Sequence, residues 1–174
     1  MITLVCGGSG SGKSEYAESL VLKLGGSKRF YIATMQPFDN EAYAKIERHR
    51  KMRSTKGFET IEAQTDLPSV TFPGGEKGDV LLECISNLVA NEMYSPEGAG
   101  EKTIERVLAG IESLKNTCNN LIIVSNNVFS DGDDYTPETL KYIDNMAVIN
   151  NHIAKMADSV VEVVSGIPII IKGE

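Results

Sequence analysis

Short apolar runs recur along the chain, each bounded by glycine, proline or polar residues. Runs of this length that are rich in β-branched residues are typical of strands buried on both faces of a sheet. Two such runs near the C-terminus flank Ser165-Gly166 and predict a closing hairpin. The predicted strands are Ile2 to Cys6, Arg29 to Thr34, Phe58 to Ala63, Asp79 to Cys84, Leu121 to Ser125, Val160 to Val164 and Ile167 to Ile171.

Between the strands, apolar residues recur every three or four positions, as they do on one face of an amphipathic helix. Gly25-Gly26 is a typical helix end, and Thr136 followed by Pro137 is a typical helix start. The predicted helices are Glu15 to Leu24, Asn40 to Arg53, the residues after Cys84 to about Met93, Ile104 to Lys115, and Pro137 to Ala157.

This alternation of strands and helices predicts one α/β domain over residues 1–174, with a mostly parallel sheet flanked by helices and a C-terminal antiparallel hairpin. In such sheets, ligands bind beyond the carboxyl ends of the strands. The segments expected at that edge begin at Gly7, at Thr34 to Gln36, at Glu83 and at Ser125.

The composition is that of a folded but acidic protein, with 41% hydrophobic residues, 24% charged residues and a net charge of −7. Such a chain repels nucleic acid and anionic membranes, so an anionic ligand needs a local positive site. Cys6, Cys84 and Cys118 are odd in number and match no zinc or redox spacing, which predicts a reducing, cytoplasmic location. No apolar run is long enough to span a membrane, and the N-terminus lacks the pattern of a signal peptide.

The residues after the first predicted strand read GGSGSGKS and match the pattern G-x-x-x-x-G-K-[ST]. Glycines let backbone N–H groups converge on a phosphate, and the following helix adds free N–H donors and the positive end of its dipole. Lys13 can reach the β- and γ-phosphates of a nucleoside triphosphate, and Ser14 can bind Mg²⁺. The predicted phosphate-binding residues are Gly7, Gly8, Ser9, Gly10, Ser11, Gly12, Lys13 and Ser14.

A site of this kind also needs an acidic residue at the end of a neighbouring strand to hold the metal ion. Glu83 ends the apolar run Val80-Leu81-Leu82 and is the candidate. The alternative is that Glu83 is a solvated residue at a strand end.

Cations are concentrated between Lys45 and Arg53, with His49 in their midst. On a helix, Lys45, His49 and Arg53 share one face. Neighbouring cations disfavour protonation of His49, and a neutral imidazole could attack the α-phosphorus of a nucleoside triphosphate. A solvated basic helix face is the alternative, and His152 has no comparable surroundings.

The motifs together resemble the bifunctional adenosylcobinamide kinase / adenosylcobinamide-phosphate guanylyltransferase family of cobalamin biosynthesis, and the resemblance covers nearly the whole chain. The histidine helix and the C-terminal tail are the specific part. The motifs are Gly7–Ser14, Tyr31–Thr34, Lys45-Ile46 with His49 and Arg53, Leu81–Ile85, Val124–Val128, Asn150 to Asp158, and Val163 to Pro168.

The resemblance implies two reactions: phosphorylation of adenosylcobinamide by ATP or GTP, and transfer of GMP from GTP through a guanylyl-histidine at His49. It also implies a recombinase-like parallel sheet with an antiparallel edge, and a homotrimer with sites between subunits. The further nucleotide contacts that it implies are Thr34, Met35, Gln36, Arg50, Lys51, Met52, Arg53, Glu62 and Glu83.

The chain departs from the family pattern after the fifth strand, where many members read N-E-V-G-x-G. Here Asn127 replaces the carboxylate and the glycine pair is lost, in the stretch 126–132. Two other functions remain open on the residues alone. One is a phosphate-loop kinase or NTPase with another acceptor and no covalent intermediate; the other is a nucleotide-gated module that binds nucleic acid, which the net charge disfavours.

Overall fold

The computed structural model describes residues 1–37, 43, 46–47, 50–51, 53–127 and 135–173. Within them, seven strands form one sheet in the order β3-β2-β4-β5-β1-β6-β7. Neighbouring strands pair in parallel except β7, which pairs antiparallel with β6. The strands are β1 (Ile2–Gly7), β2 (Arg29–Ala33), β3 (Phe58–Glu62), β4 (Asp79–Glu83), β5 (Asn120–Asn126), β6 (Ser159–Val164) and β7 (Ile167–Lys172).

The helices are α1 (Lys13–Leu24), α2 (Ile85–Tyr94), α3 (Thr103–Thr117) and α4 (Pro137–Met156), and short 3-10 turns occur at Leu67–Ser69, Pro73–Gly75 and Gly100–Lys102. Of the helix predicted from Asn40 to Arg53, the residues that the structure describes are helical, and the others lie outside the described residues. Thr136 caps α4 as predicted, since its side-chain oxygen accepts a hydrogen bond from the backbone N–H of Thr139.

The mostly parallel sheet and the closing hairpin confirm the predicted fold class, and the element ends differ by one or two residues. The predicted strands ending at Thr34, Ala63 and Cys84 each extend one residue past the observed strand. Helix α1 begins at Lys13 rather than Glu15, because the left-handed Gly12 ends the preceding loop and two polar residues fill the first turn. Apolar periodicity cannot detect polar residues at a helix start.

The sheet has a hydrophobic layer on each face. Alternate strand residues such as Leu4 and Ile32 pack with helices α2, α3 and α4. Their neighbours Val5 and Tyr31 face the opposite side, where Ala17 of α1 is buried. Strands buried on both faces explain the continuous apolar runs in the sequence.

The parallel register brings the predicted edge residues together. Ala33 of β2 pairs with both Glu83 of β4 and Glu62 of β3, and Gly7 of β1 pairs with Asn126 of β5. The carboxyl ends of β1, β2, β3, β4 and β5 therefore meet at one edge of the sheet, and the phosphate-loop sequence begins there.

The three cysteines are free thiols, with Cys84 and Cys118 buried and Cys6 half-buried. Burial raises the pKa of the Cys118 thiol to about 11. No helix within the described part of the chain is both long and apolar enough to cross a bilayer.

Candidate active site

The loop between β1 and α1 has the backbone that its glycines predict. Gly12 has φ 88° and is the N-cap of α1, a left-handed conformation that glycine adopts without steric cost. A Cβ atom on Gly7 would lie 2.5 Å from the carbonyl oxygen of Val163 and 2.7 Å from Oγ of Ser11. The loop therefore runs against the β6–β7 hairpin, whose Gly166 N–H also donates to the Ser11 carbonyl at 2.8 Å.

Lys13, the first residue of α1, folds back over this loop. Its side chain is 9% exposed, and Nζ donates to the Gly8 carbonyl at 3.1 Å. An ammonium group at this place adds positive charge to a ring of backbone N–H groups and the positive end of a helix dipole.

The next residue, Ser14, contacts the predicted acidic residue directly. Its hydroxyl donates to Oε1 of Glu83, and the hydroxyl of Tyr31 donates to Oε2 of the same carboxylate at 3.0 Å. Glu83 is therefore not the solvated strand-end residue of the alternative interpretation. Burial, reinforced by the Glu83 charge, raises the pKa of Tyr31, so its hydroxyl remains a protonated donor.

A cation lies over the ring of Tyr31. The Arg53 guanidinium carbon is 3.6 Å from the centroid of the Tyr31 ring, and Arg53 is only 7% exposed. Its Nε has no hydrogen-bond partner in the described part of the chain. Burial raises the pKa of Glu62, against the opposing charges of Arg50 and Arg53.

These side chains line one pocket of about 390 Å³, a volume typical of small-molecule sites. The lining includes residues of the phosphate loop with Glu83, and it includes Ile46 and Arg53 of the basic segment (residues 45–53) with Glu62. The lining residues are Ser9, Lys13, Ser14, Tyr31, Ala33, Met35, Ile46, Arg53, Glu62, Glu83, Cys84, Asn87, Val124 and Asn126.

Two of the residues expected beside β2 have other partners. Thr34 is fully buried; its hydroxyl donates to the Cys84 carbonyl at 2.9 Å and accepts from the Cys84 N–H at 2.7 Å. The Gln36 side chain donates to Ser95 at 3.1 Å. Met35, between them, is the member of this trio that lines the pocket.

The basic segment contributes one described cation to the pocket, namely Arg53. Arg50 and Lys51 are exposed, and Arg50 lies 3.6 Å from the Glu47 carboxylate. His49 and Met52, together with Lys45, lie outside the described residues.

The sequence prediction did not include Tyr31, Asn87 or Asn126 among the site residues, although each lines the pocket. Asn126 ends β5 at the carboxyl edge, which was the signal that could have identified it. Asn127, the residue at which the chain departs from the family pattern, donates to Glu162 of β6 at 2.8 Å and does not line this pocket. The rest of the altered loop, 128–132, lies outside the described residues.

The chain also matches a known protein family along most of its length. A family model described as cobinamide kinase / cobinamide phosphate guanyltransferase matches residues 3–171. The chain belongs to this family. It is therefore a kinase and nucleotidyltransferase of cobalamin biosynthesis, as the sequence motifs predicted.

Curated relatives match along almost their full length. The bifunctional adenosylcobalamin biosynthesis protein CobU of Escherichia coli K12 is 33% identical, covering 99% of this chain and 100% of the relative. CobU of Salmonella typhimurium LT2 is 32% identical, covering 99% of this chain and 100% of the relative. The bifunctional protein CobP of Pseudomonas aeruginosa is 29% identical, covering 100% of this chain and 99% of the relative.

Solved structures support the fold class. The flagellar accessory protein FlaH from Methanocaldococcus jannaschii superposes with a TM-score of 0.56 at 14% identity, covering 99% of this chain and 78% of that chain. A KaiC-like protein from Pyrococcus horikoshii OT3 superposes with a TM-score of 0.53 at 14% identity, covering 92% of this chain and 69% of that chain. At such identities the likeness concerns the fold alone.

Proposed function

We propose that one domain of residues 1–174 phosphorylates adenosylcobinamide with ATP or GTP, and then transfers GMP from GTP through guanylyl-His49 to give adenosylcobinamide-GDP. Family membership supports the kinase and guanylyltransferase activities. The observation that carries the proposal is that Lys13, Ser14 and Glu83 line one pocket and that Ser14 is hydrogen-bonded to Glu83. This is the arrangement that phosphoryl transfer from a nucleoside triphosphate requires.

The triphosphate is held by the loop from Gly7 to Gly12 and by the start of α1. The loop N–H groups surround the phosphates, and Lys13 neutralises negative charge on the β- and γ-phosphates. Met35, Arg53 and Glu62 line the same pocket and bind the remainder of the nucleotide. Thr34 contributes by fixing the backbone of Cys84, next to Glu83. The further nucleotide contacts proposed from the family resemblance alone are Gln36, Arg50, Lys51 and Met52.

The donor set fits Mg²⁺. This ion is commonly held by one or two carboxylates, a hydroxyl group, waters and the phosphates of the substrate. Ser14 and Glu83 supply a hydroxyl and a carboxylate that already touch. No group of three or more histidine, cysteine or acidic side chains suited to a metal occurs in the described ranges, so the proposed ligands are this pair and the phosphates. Held by Ser14 and Glu83, Mg²⁺ would neutralise charge on the phosphate oxygens.

In the kinase step, the alcohol oxygen of the corrinoid side chain forms a bond to the γ-phosphorus. The bond from that phosphorus to the β–γ bridging oxygen breaks, the nucleoside diphosphate leaves, and the hydroxyl proton is released. The protein mainly positions the two substrates and stabilises charge, because this transition state has little covalent chemistry for side chains to perform.

In the guanylyl step, an imidazole nitrogen of His49 forms a bond to the α-phosphorus of GTP and pyrophosphate leaves. A phosphate oxygen of adenosylcobinamide phosphate then attacks the same phosphorus, which forms a diphosphate link and frees His49. Support comes from Arg53, which lines the pocket and follows His49 by four positions in the sequence.

The test is to incubate the protein with Mg²⁺ and GTP labelled at the α-phosphate, without acceptor, and then denature it. We expect a covalent label that is acid-labile and base-stable, as a phosphoramidate is, and that is absent from His49→Ala. The matched control is His152→Ala, since His152 is exposed on α4 with Nδ1 3.3 Å from the Val148 carbonyl oxygen. Absence of label from an enzyme that still phosphorylates would instead support a kinase without a covalent intermediate.

We also propose that the protein is a cytoplasmic homotrimer, as the resemblance implies. The free thiols suit a reducing compartment. The edge strand β7 is exposed along its whole length, with Ile167, Ile169, Ile170 and Ile171 between 48% and 65% exposed. An apolar edge of this kind is typical of a surface that another chain covers.

A further inference from the structure

We infer that Tyr31 is a positioning residue that fixes the Glu83 carboxylate through its hydroxyl and the Arg53 guanidinium through its ring. A single side chain would thus set the geometry of the acidic residue of the metal site and of the cation that the basic segment places in the pocket. The inference rests on the proposed function, because it concerns how Ser14 and Glu83 hold the metal ion.

The Tyr31 side chain is itself held firmly. It is 5% exposed and lies on β2, which is hydrogen-bonded to β3 on one side and to β4 on the other. The Phe58 ring packs edge-on against it, with ring centroids 6.4 Å apart and an interplanar angle of 87°. A ring fixed in this way can hold its partners with little loss of its own conformational freedom.

The hydroxyl of Tyr31 controls the orientation of the carboxylate. It donates to Oε2 of Glu83 at 3.0 Å, while Ser14 donates to Oε1. Each carboxylate oxygen therefore has one donor, and rotation of the group would break both bonds. Because Tyr31 is bonded to Oε2, Oε1 is the carboxylate oxygen held against the Ser14 hydroxyl. Partners of this kind orient metal ligands in other proteins and affect metal affinity strongly.

The ring of Tyr31 supports Arg53. The guanidinium carbon lies 3.6 Å from the ring centroid, which is close contact for a cation over an aromatic face. Arg53 is 7% exposed and its Nε has no partner among the residues described. The ring is thus one of the contacts that hold this buried cation where it lines the pocket, and the charge of Glu62 also acts on it.

Two variants separate the two roles. Tyr31→Phe keeps the ring under Arg53 and removes the donor to Glu83, whereas Tyr31→Leu removes both. The matched control is Tyr142→Phe, because the Tyr142 hydroxyl is part-buried and donates to the Ser86 carbonyl at 3.2 Å, outside the pocket lining.

The experiment measures binding of Mn²⁺, by electron paramagnetic resonance, to the protein complexed with a non-hydrolysable imido analogue of GTP. It also measures affinity for that analogue in EDTA. In Tyr31→Phe we expect Mn²⁺ affinity to fall roughly tenfold while analogue affinity in EDTA is unchanged. In Tyr31→Leu we expect both to fall, and in Tyr142→Phe neither. Thermal unfolding of each variant confirms that it is folded at the assay temperature.

The result that overturns the inference is wild-type Mn²⁺ affinity in Tyr31→Phe, or an equal loss in Tyr142→Phe. If the wild-type protein and Ser14→Ala bound Mn²⁺ equally well, that result would contradict the proposed metal site as well. The two failures are therefore distinguishable.

Discussion

The chemistry of the proposed site depends on three side chains from two segments far apart in the chain. Lys13 and Ser14 follow the glycine loop, and Glu83 ends strand β4, 69 residues after Ser14 in the sequence. Their meeting in one pocket adds a carboxylate to the phosphate loop, which by itself indicates only phosphate binding.

Replacement of Glu83 tests the metal role at this scale. Glu83→Gln keeps the size of the side chain and removes its charge, so the Mg²⁺ concentration for half-maximal phosphorylation should rise roughly tenfold. The measurement is a Mg²⁺ titration of the kinase reaction, with Glu59→Gln, an exposed carboxylate on β3, as the control. An unchanged titration curve would remove Glu83 from the metal site.

The site residues show what a sequence can and cannot specify. The phosphate loop and Glu83 were predictable because their chemistry follows from spacing and from the end of a strand. The stacking of Arg53 on Tyr31 was not, since it joins residues of two segments through side-chain packing. Thr34 shows the converse: a polar residue at the correct edge can instead serve the backbone of its neighbour.

At the scale of elements, the phosphate loop depends on its contact with the β6–β7 hairpin. The absence of a side chain at Gly7 allows the Val163 carbonyl to approach, and the Gly166 N–H bonds to Ser11. The C-terminal hairpin thus packs against the phosphate loop and supports its conformation.

Gly7→Ala tests this contact, because its Cβ would lie 2.5 Å from a backbone oxygen. We expect the free energy of unfolding to fall by about 1–3 kcal/mol, measured by urea titration at fixed protein concentration. Gly8→Ala is the control, since a Cβ there meets nothing within 4 Å, and it should change stability by less than about 0.5 kcal/mol. Equal stability of the two variants would show that the close approach is unimportant.

The element order was predictable because buried strands and amphipathic helices differ in the period of their apolar residues. The first and last residues of each element were less predictable. Polar residues in the first turn of a helix, such as Lys13 and Ser14, carry no periodic signal. Thr34 and Cys84 are as compatible with a strand as the residues that they follow.

At the scale of the whole molecule, the sheet has two covered faces and an exposed edge strand, β7. Helices cover both faces of its centre, while β7 presents isoleucines to the surface. Periodicity predicted the hairpin, but it could not show that β7 is an exposed edge, because that depends on strand order.

We expect the exposed edge strand β7 to take part in assembly of the trimer. The wild-type protein should have three times the chain mass in light scattering after size exclusion, and the double variant Ile169→Lys, Ile171→Lys should have a smaller mass, because charges on an edge strand oppose pairing. Val148→Lys, at a 40% exposed position on α4, is the control. A monomeric wild type, or a trimer that survives both lysines, would contradict the role of β7.

The central claim is that this pocket transfers a phosphoryl group from a nucleoside triphosphate to a corrinoid alcohol. The direct measurement is transfer of the γ-label from ATP or GTP to adenosylcobinamide, with the product separated by chromatography. We predict labelled adenosylcobinamide phosphate from the wild type and from Lys23→Ala, an exposed lysine of the same helix, and a loss of roughly 10²- to 10³-fold in Lys13→Ala. No transfer by the wild type, or undiminished transfer by Lys13→Ala, would contradict the account.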